Sequence, residues 1–132
     1  MTGLYVDTSA LARLIQREPD AAVIQRCMSE YDQLWSSELL AVELRRFGMR
    51  HRMLRDAEDL LESVRLLPIS SGALLRASCV KPAVVRTLDA IHLDAALVLR
   101  EEHEIAAVLT FDRQLGRGCG HHELAVEAPL AA

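Results

Sequence analysis

Four acids in this chain stand where acids are out of place. Asp7 follows the apolar run Leu4-Tyr5-Val6, and Asp112 follows the apolar stretch that ends at Thr110. Glu43 shares a helical row with Leu39, Leu40 and Phe47, and Asp89 opens a segment that is apolar nearly all round. Carboxylates brought together repel, and they either take up protons or hold a cation. An all-oxygen donor set without an obvious His/Cys partner suits Mg²⁺ or Mn²⁺. Such an ion can make a nucleophile of a bound water and stabilise charge on a phosphoryl oxygen.

Whether these acids meet depends on the elements that carry them. Leu4–Val6 reads as a short buried strand, with Thr8 or Ser9 as the cap of the helix that follows. Pro19-Asp20 opens a second helix, Ala21 to Glu30, and Gln33–Trp35 reads as a strand. Ser36-Ser37 then caps a long helix to about Arg50. Asp56 to Val64 reads as a helix and Leu66–Ile69 as a strand, which Pro68 confines to a sheet edge or strand end. Ser70-Ser71-Gly72 opens a helix to Cys79, and Thr87–Arg100 is a buried helix. Ile105–Thr110 is the clearest strand, and Leu124–Val126 is a short final one.

Strands alternating with helices predict a three-layer α/β/α sandwich around a mostly parallel sheet. In such sheets ligands bind beyond the carboxyl ends of the strands, near the point where strand order reverses. Asp7 and Asp112 both lie just past strand ends, so central parallel strands would bring them to one edge. For Glu43, a salt bridge with Arg46 or Arg50 is the competing explanation. Asp89 and Asp94 cannot aim at one point, because five residues at about 100° each separate them by roughly 140° around the helix. Asp89 belongs to the site, since the first helical turn favours a carboxylate. Asp94 is expected to be exposed or paired with an arginine. Thr8, Ser9 and Thr110 could orient carboxylates or serve as ordinary caps and strand-end hydroxyls.

The chain has 132 residues, 51% hydrophobic and 26% charged, which predicts one folded domain over 1–132. It contains no run of roughly 18 apolar residues that would suggest a membrane span. Three widely spaced cysteines, Cys27, Cys79 and Cys119, argue against a disulfide framework and suit a reducing cytoplasm. The formal charge of −4 argues against a nonspecific nucleic-acid binder with a large basic surface. Yet Lys81 is the only lysine among 15 basic residues, and five arginines crowd RRFGMRHRMLR at 45–55. Arg46 and Arg50 are candidates for phosphate contacts, because a guanidinium fork matches phosphate geometry. Cys119, His121 and His122 fall in GRGCGHHEL, which lacks a fourth zinc ligand and the usual spacing, so it reads as a Gly-rich loop.

The pieces YVDTSAL at 5–11, SSELLAVELRR at 36–46, RTLDAIHLDAAL at 86–97 and LTFDRQL at 109–115 together resemble the PIN-domain ribonucleases, specifically the VapC-type toxins of toxin-antitoxin pairs. The four span nearly the whole chain in the family's order. The resemblance implies Mg²⁺- or Mn²⁺-dependent endoribonuclease activity leaving a 3′-hydroxyl and a 5′-phosphate. It carries Asp7, Glu43 and Asp89 as acidic ligands, Asp112 as a more variable fourth, and Ser9 and Thr110 as supporting polar positions. It also implies an RNA substrate, inhibition by a cognate VapB-type antitoxin, and homodimers or toxin-antitoxin hetero-oligomers. Asp94 departs from the small residue common in relatives.

Other readings fit less well. A haloacid-dehalogenase-like phosphatase needs a second Asp where Ser9 stands, and a receiver domain needs an N-terminal acidic pair and a late lysine. Neither a dinucleotide nor a P-loop glycine motif occurs. The alternative from another class is a catalytically silent PIN-like module that binds RNA or protein and would not need the acids.

Overall fold

The computed structural model describes residues 2–129. Twelve elements follow one another: β1 (Gly3–Val6), α1 (Thr8–Ile15), α2 (Ala21–Ser29), β2 (Gln33–Ser37), α3 (Glu38–His51), α4 (Leu54–Leu61), β3 (Val64–Leu67), α5 (Ser71–Cys79), α6 (Thr87–Glu101), β4 (Ile105–Leu109), α7 (Arg113–His121) and β5 (Ala125–Glu127). The sheet has the order β3-β2-β1-β4-β5, and every pairing is parallel.

This order puts β1 in the centre, where the successive strands on one side give way to β4 and β5 on the other. Every residue of β1 is buried, as expected of a strand covered on both faces. Its side chains alternate between two cores. Leu4 and Val6 pack with Leu11, Ile24, Leu40, Leu44 and Leu61, under the layer formed by α1 to α4. Tyr5 packs with Leu93, Leu99, Leu115 and Cys119, under α6 and α7. The result is an α/β/α sandwich, as the alternation of strands and helices predicts.

The pairing of β1 with β4 is irregular at its start, since Gly3 opposes Ile105 while Leu4 opposes Ala107. The backbones approach closely there: a Cβ on Gly3 would sit 2.6 Å from the Glu104 carbonyl oxygen. A side chain would force the edge of the ladder apart.

Four local expectations change. Asp7, and not Thr8 or Ser9, caps α1, because its side chain accepts from the Ala10 N–H and Thr8 already lies within the helix. The helix expected to reach Val64 ends at Leu61, and the next strand is Val64–Leu67 rather than Leu66–Ile69. Pairing with β2, from Leu34 opposite Val64 to Ser37 opposite Leu67, fixes those bounds, and Pro68 follows the last paired residue. β3 is indeed a sheet edge. GRGCGHHEL is mostly helix and not loop, since α7 runs to His121. Glycines weaken a helix by about 1 kcal/mol each, but Leu115 and Cys119 are fully buried. Gly118 lets α7 approach α6 so closely that a Cβ would stand 2.6 Å from Leu93 Cδ2.

Candidate active site

The parallel sheet delivers the acids to one edge. Asp7 leaves the end of β1, and Asp112 follows β4, the strand beside it across the point where strand order reverses. Both are helix caps. Asp7 caps α1, and Asp112 Oδ1 accepts from the N–H groups of Gln114 and Leu115 at 2.8 and 3.0 Å at the start of α7. Asp89 occupies the first turn of α6. Three helix N-termini thus face the acids, and the partial positive charge there favours carboxylates.

Asp7 is the most rigidly held. Ser9 Oγ donates to its Oδ1 and Thr110 Oγ1 donates to its Oδ2, both at 2.7 Å. Those hydroxyls are themselves oriented, because the Phe111 N–H donates to Ser9 Oγ at 2.8 Å and the Asp112 N–H donates to Thr110 Oγ1 at 3.0 Å. The chain N–H to hydroxyl to carboxylate turns both hydroxyl protons onto Asp7. Burial nevertheless pushes the Asp7 carboxyl above its usual range, against the opposing effect of these bonds.

Glu43 projects from α3 into the same region. Burial raises its proton affinity, but the His92 and Thr8 bonds more than offset that, and its pKa is lowered. Thr8 Oγ1 donates to Oε1 at 2.8 Å, and His92 Nε2 lies 2.7 Å from the same oxygen. The alternative salt bridge with Arg46 or Arg50 is not formed; both arginines are exposed. Asp89 is pushed up to about 6, first by burial and then by the charges of Asp112 and Asp7. The four acids are therefore close enough to feel one another.

Asp94 behaves as helix geometry requires. It is buried on α6 away from the site and takes a two-point contact from Arg76, Nε to Oδ1 at 3.1 Å and Nη2 to Oδ2 at 3.3 Å. Cys119 is buried, while His122 Nε2 lies 2.6 Å from the Lys81 carbonyl oxygen and His121 packs edge-on against His122. A groove between α5 and α6, lined by Leu74, Ala77, Cys79, Lys81, Val85 and Ile91, contains none of the four acids.

Sequence reasoning missed His92. It lies three residues after Asp89 and so on the same helical row, a spacing that could have flagged it. It is 2% exposed and bridges Glu43 to the Tyr5 hydroxyl.

The donors present are carboxylate oxygens with hydroxyls behind them, which fits a hard divalent cation better than a soft one. Among the described residues no three His, Cys, Asp or Glu side chains are already gathered into a metal cage. Mg²⁺ commonly retains several waters and uses only one or two carboxylates, so an open set of this kind suits it.

A parallel α/β/α sheet with four acids at its switch point defines a class of compact acidic-site domains. The chain belongs to one such family, since the pattern of the PIN domain matches residues 4–120. It is 32% identical over 123 residues to Ribonuclease VapC47 of Mycobacterium tuberculosis, covering 88% of this chain and 89% of that protein. Ribonuclease VapC46 of the same species is 28% identical over 131 residues, covering 98% and 99% of the two chains. Ribonuclease VapC35, also from that species, is 28% identical over 130 residues and covers 96% of both. Among the described residues no helix is long and apolar enough to cross a membrane.

The raised proton affinity of Asp89 makes stability depend on pH. Its folded pKa of about 6 exceeds the unfolded value of about 3.9. The folded chain therefore binds more protons between those values, and the associated stability is complete below the unfolded pKa and lost as pH rises through about 6. Asp89→Asn should accordingly melt a few degrees higher than the parent at pH 7.5 in EDTA, with the difference shrinking at pH 4.5. Thermal melts at both pH values check this, and an equal difference at both would contradict it.

Proposed function

We propose that this chain is a Mg²⁺- or Mn²⁺-dependent endoribonuclease acting as the toxin of a toxin-antitoxin pair. The observation that carries the reading is that the sheet delivers Asp7 and Asp112 past the ends of adjacent strands at its switch point, with Glu43 and Asp89 both near enough to feel the charge of Asp112. The relatives' names agree in calling them ribonucleases.

Asp7, Glu43, Asp89 and Asp112 would hold the cation between them. The ion, when bound, would acidify water and stabilise negative charge on a phosphodiester oxygen. The protein's own part is positional. Ser9 and Thr110 hold both Asp7 oxygens in a fixed plane. Thr8 and His92 engage only Oε1 of Glu43, so Oε2 is left for the cation or its water. The α7 N-terminus engages Oδ1 of Asp112 and leaves Oδ2. Attack of a water oxygen on phosphorus then breaks the bond to the 3′-oxygen, which takes up a proton, leaving a 3′-hydroxyl and a 5′-phosphate. The antitoxin would be of the VapB type, and toxin dimers and toxin-antitoxin hetero-oligomers belong to this proposal.

Purified protein should cut single-stranded RNA with Mg²⁺ and lose the activity in EDTA. Asp7→Asn and Asp89→Asn should each lower kcat by at least about 100-fold, on the scale of losing a major electrostatic group. Gel analysis of end-labelled RNA checks this, and cleavage that persists in EDTA or survives both substitutions would sink the proposal. RNA retention without any cleavage would favour the silent binding module.

Arg46 and Arg50 are exposed on α3, the helix that carries Glu43. As phosphate contacts, each would contribute about 0.7 to the slope of log affinity against log salt for a single strand. Replacing both with Gln should weaken RNA binding and flatten that slope; an unchanged slope returns them to another role.

Induced expression should arrest growth, and co-expression of a short protein encoded beside it should relieve the arrest. Unimpaired growth of cells making the active chain would count against the toxin role.

A further inference from the structure

The hydrogen bonds of the site extend one step behind its acids. Tyr5 is fully buried in the middle of β1, on the α6 side of the sheet, and its hydroxyl lies 2.7 Å from His92 Nδ1. Across the same ring, Nε2 lies 2.7 Å from Glu43 Oε1. An ionised carboxylate only accepts hydrogen bonds, so Nε2 must present a proton to it. Of the two neutral tautomers, only the one with its proton on Nε2 can do this, and its bare Nδ1 is an acceptor that the phenol O–H matches. The rings meet edge-on, with centroids 5.8 Å apart and planes at 80°, which also fixes the direction of the imidazole.

We propose that Tyr5 and His92 are a positioning pair: Tyr5 holds His92 in the Nε2–H tautomer, and His92 thereby fixes Glu43 through Oε1 and leaves Oε2 for a bound cation. Neither residue touches the reacting atoms; both act through Glu43. Thr8 donates to the same Oε1, so that oxygen has two donors and the carboxylate has one favoured orientation. A single hydroxyl on a half-buried glutamate would leave the side chain free to swing. The pair also ties the orientation to the centre of the sheet, since Tyr5 is part of the strand that leads into Asp7. Its role in cation binding rests on the metal-dependent reading above.

Long-range ¹H–¹⁵N spectra of the metal-free chain at neutral pH should show His92 protonated at Nε2 and bare at Nδ1. A proton on Nδ1 would overturn the pairing. Counting free Mn²⁺ by electron paramagnetic resonance should show roughly tenfold weaker binding in Tyr5→Phe and in His92→Leu, the scale of losing an outer-shell partner. His92→Gln, whose amide can still donate to Glu43, should recover most of that loss. In RNA cleavage, Tyr5→Phe should lower kcat and leave KM unmoved. Unchanged Mn²⁺ affinity in both Tyr5→Phe and His92→Leu, or His92→Gln as weak as His92→Leu, would also overturn it. If His92→Leu fails to fold, the parent's tautomer and the Tyr5→Phe titration still decide. A parent chain that binds no Mn²⁺ would overturn the metal-dependent reading instead, with the tautomer still judging the pair.

Discussion

Mutual repulsion among the carboxylates at the ends of β1 and β4 is the constraint on which the rest of the molecule is built. Burial first, and then the charges of Asp112 and Asp7, push the Asp89 carboxyl up to about 6. A folded chain keeps such a cluster only if many other contacts offset it. Part of the compensation is local. Asp7 and Asp112 accept backbone N–H groups at helix starts, and Asp89 lies in a first helical turn, so three macrodipoles oppose the repulsion. The remainder is supplied by the two apolar cores on either face of the sheet.

The topology explains how one strand can serve both purposes. β1 is buried on both faces, with Leu4 and Val6 in one core and Tyr5 in the other. A strand so enclosed is hard to displace, and the residue at its end inherits that rigidity. Asp7 is held from the β4 side as well, by the hydroxyl of Thr110. Ordered apolar burial thus becomes positional accuracy at a polar site, as preorganisation requires.

Much of this could be read from the residues in order. The alternation of strands and helices specified the layers, and strand-end placement singled out Asp7 and Asp112. Glu43 stood out as an acid in an apolar row, and the 3.6-residue period separated Asp89 from Asp94. What escaped depends on contacts between distant parts of the chain. His92 resembles an ordinary core histidine until Tyr5 and Glu43, 87 and 49 residues away, are seen on its two nitrogens. α7 looked like a loop because its glycines disfavour a helix locally, whereas Gly118 is what admits α6 at close range. The bounds of β3 follow from its register with β2, which no local pattern encodes.

The distribution of arginine gives the metal-dependent reading a further physical basis. Where a buried acid lies elsewhere in the fold, an arginine meets it: Arg13 reaches Asp20 at 2.8 Å, and Arg76 clasps Asp94. Such pairing is the usual way to keep a carboxylate out of water. Asp7 and Glu43 are met instead by hydroxyls, a backbone N–H and an imidazole, and Asp112 by backbone N–H groups. No arginine or lysine ion pair to Asp7, Glu43, Asp89 or Asp112 forms among the described residues. The sequence holds 15 basic residues, so the lack of a permanent cation there is not a matter of supply. A guanidinium bound to these acids would relieve their repulsion and occupy their oxygens permanently. Hydroxyls and N–H groups orient the acids while leaving their negative charge uncancelled, which is the state in which an exchangeable cation gains most from binding.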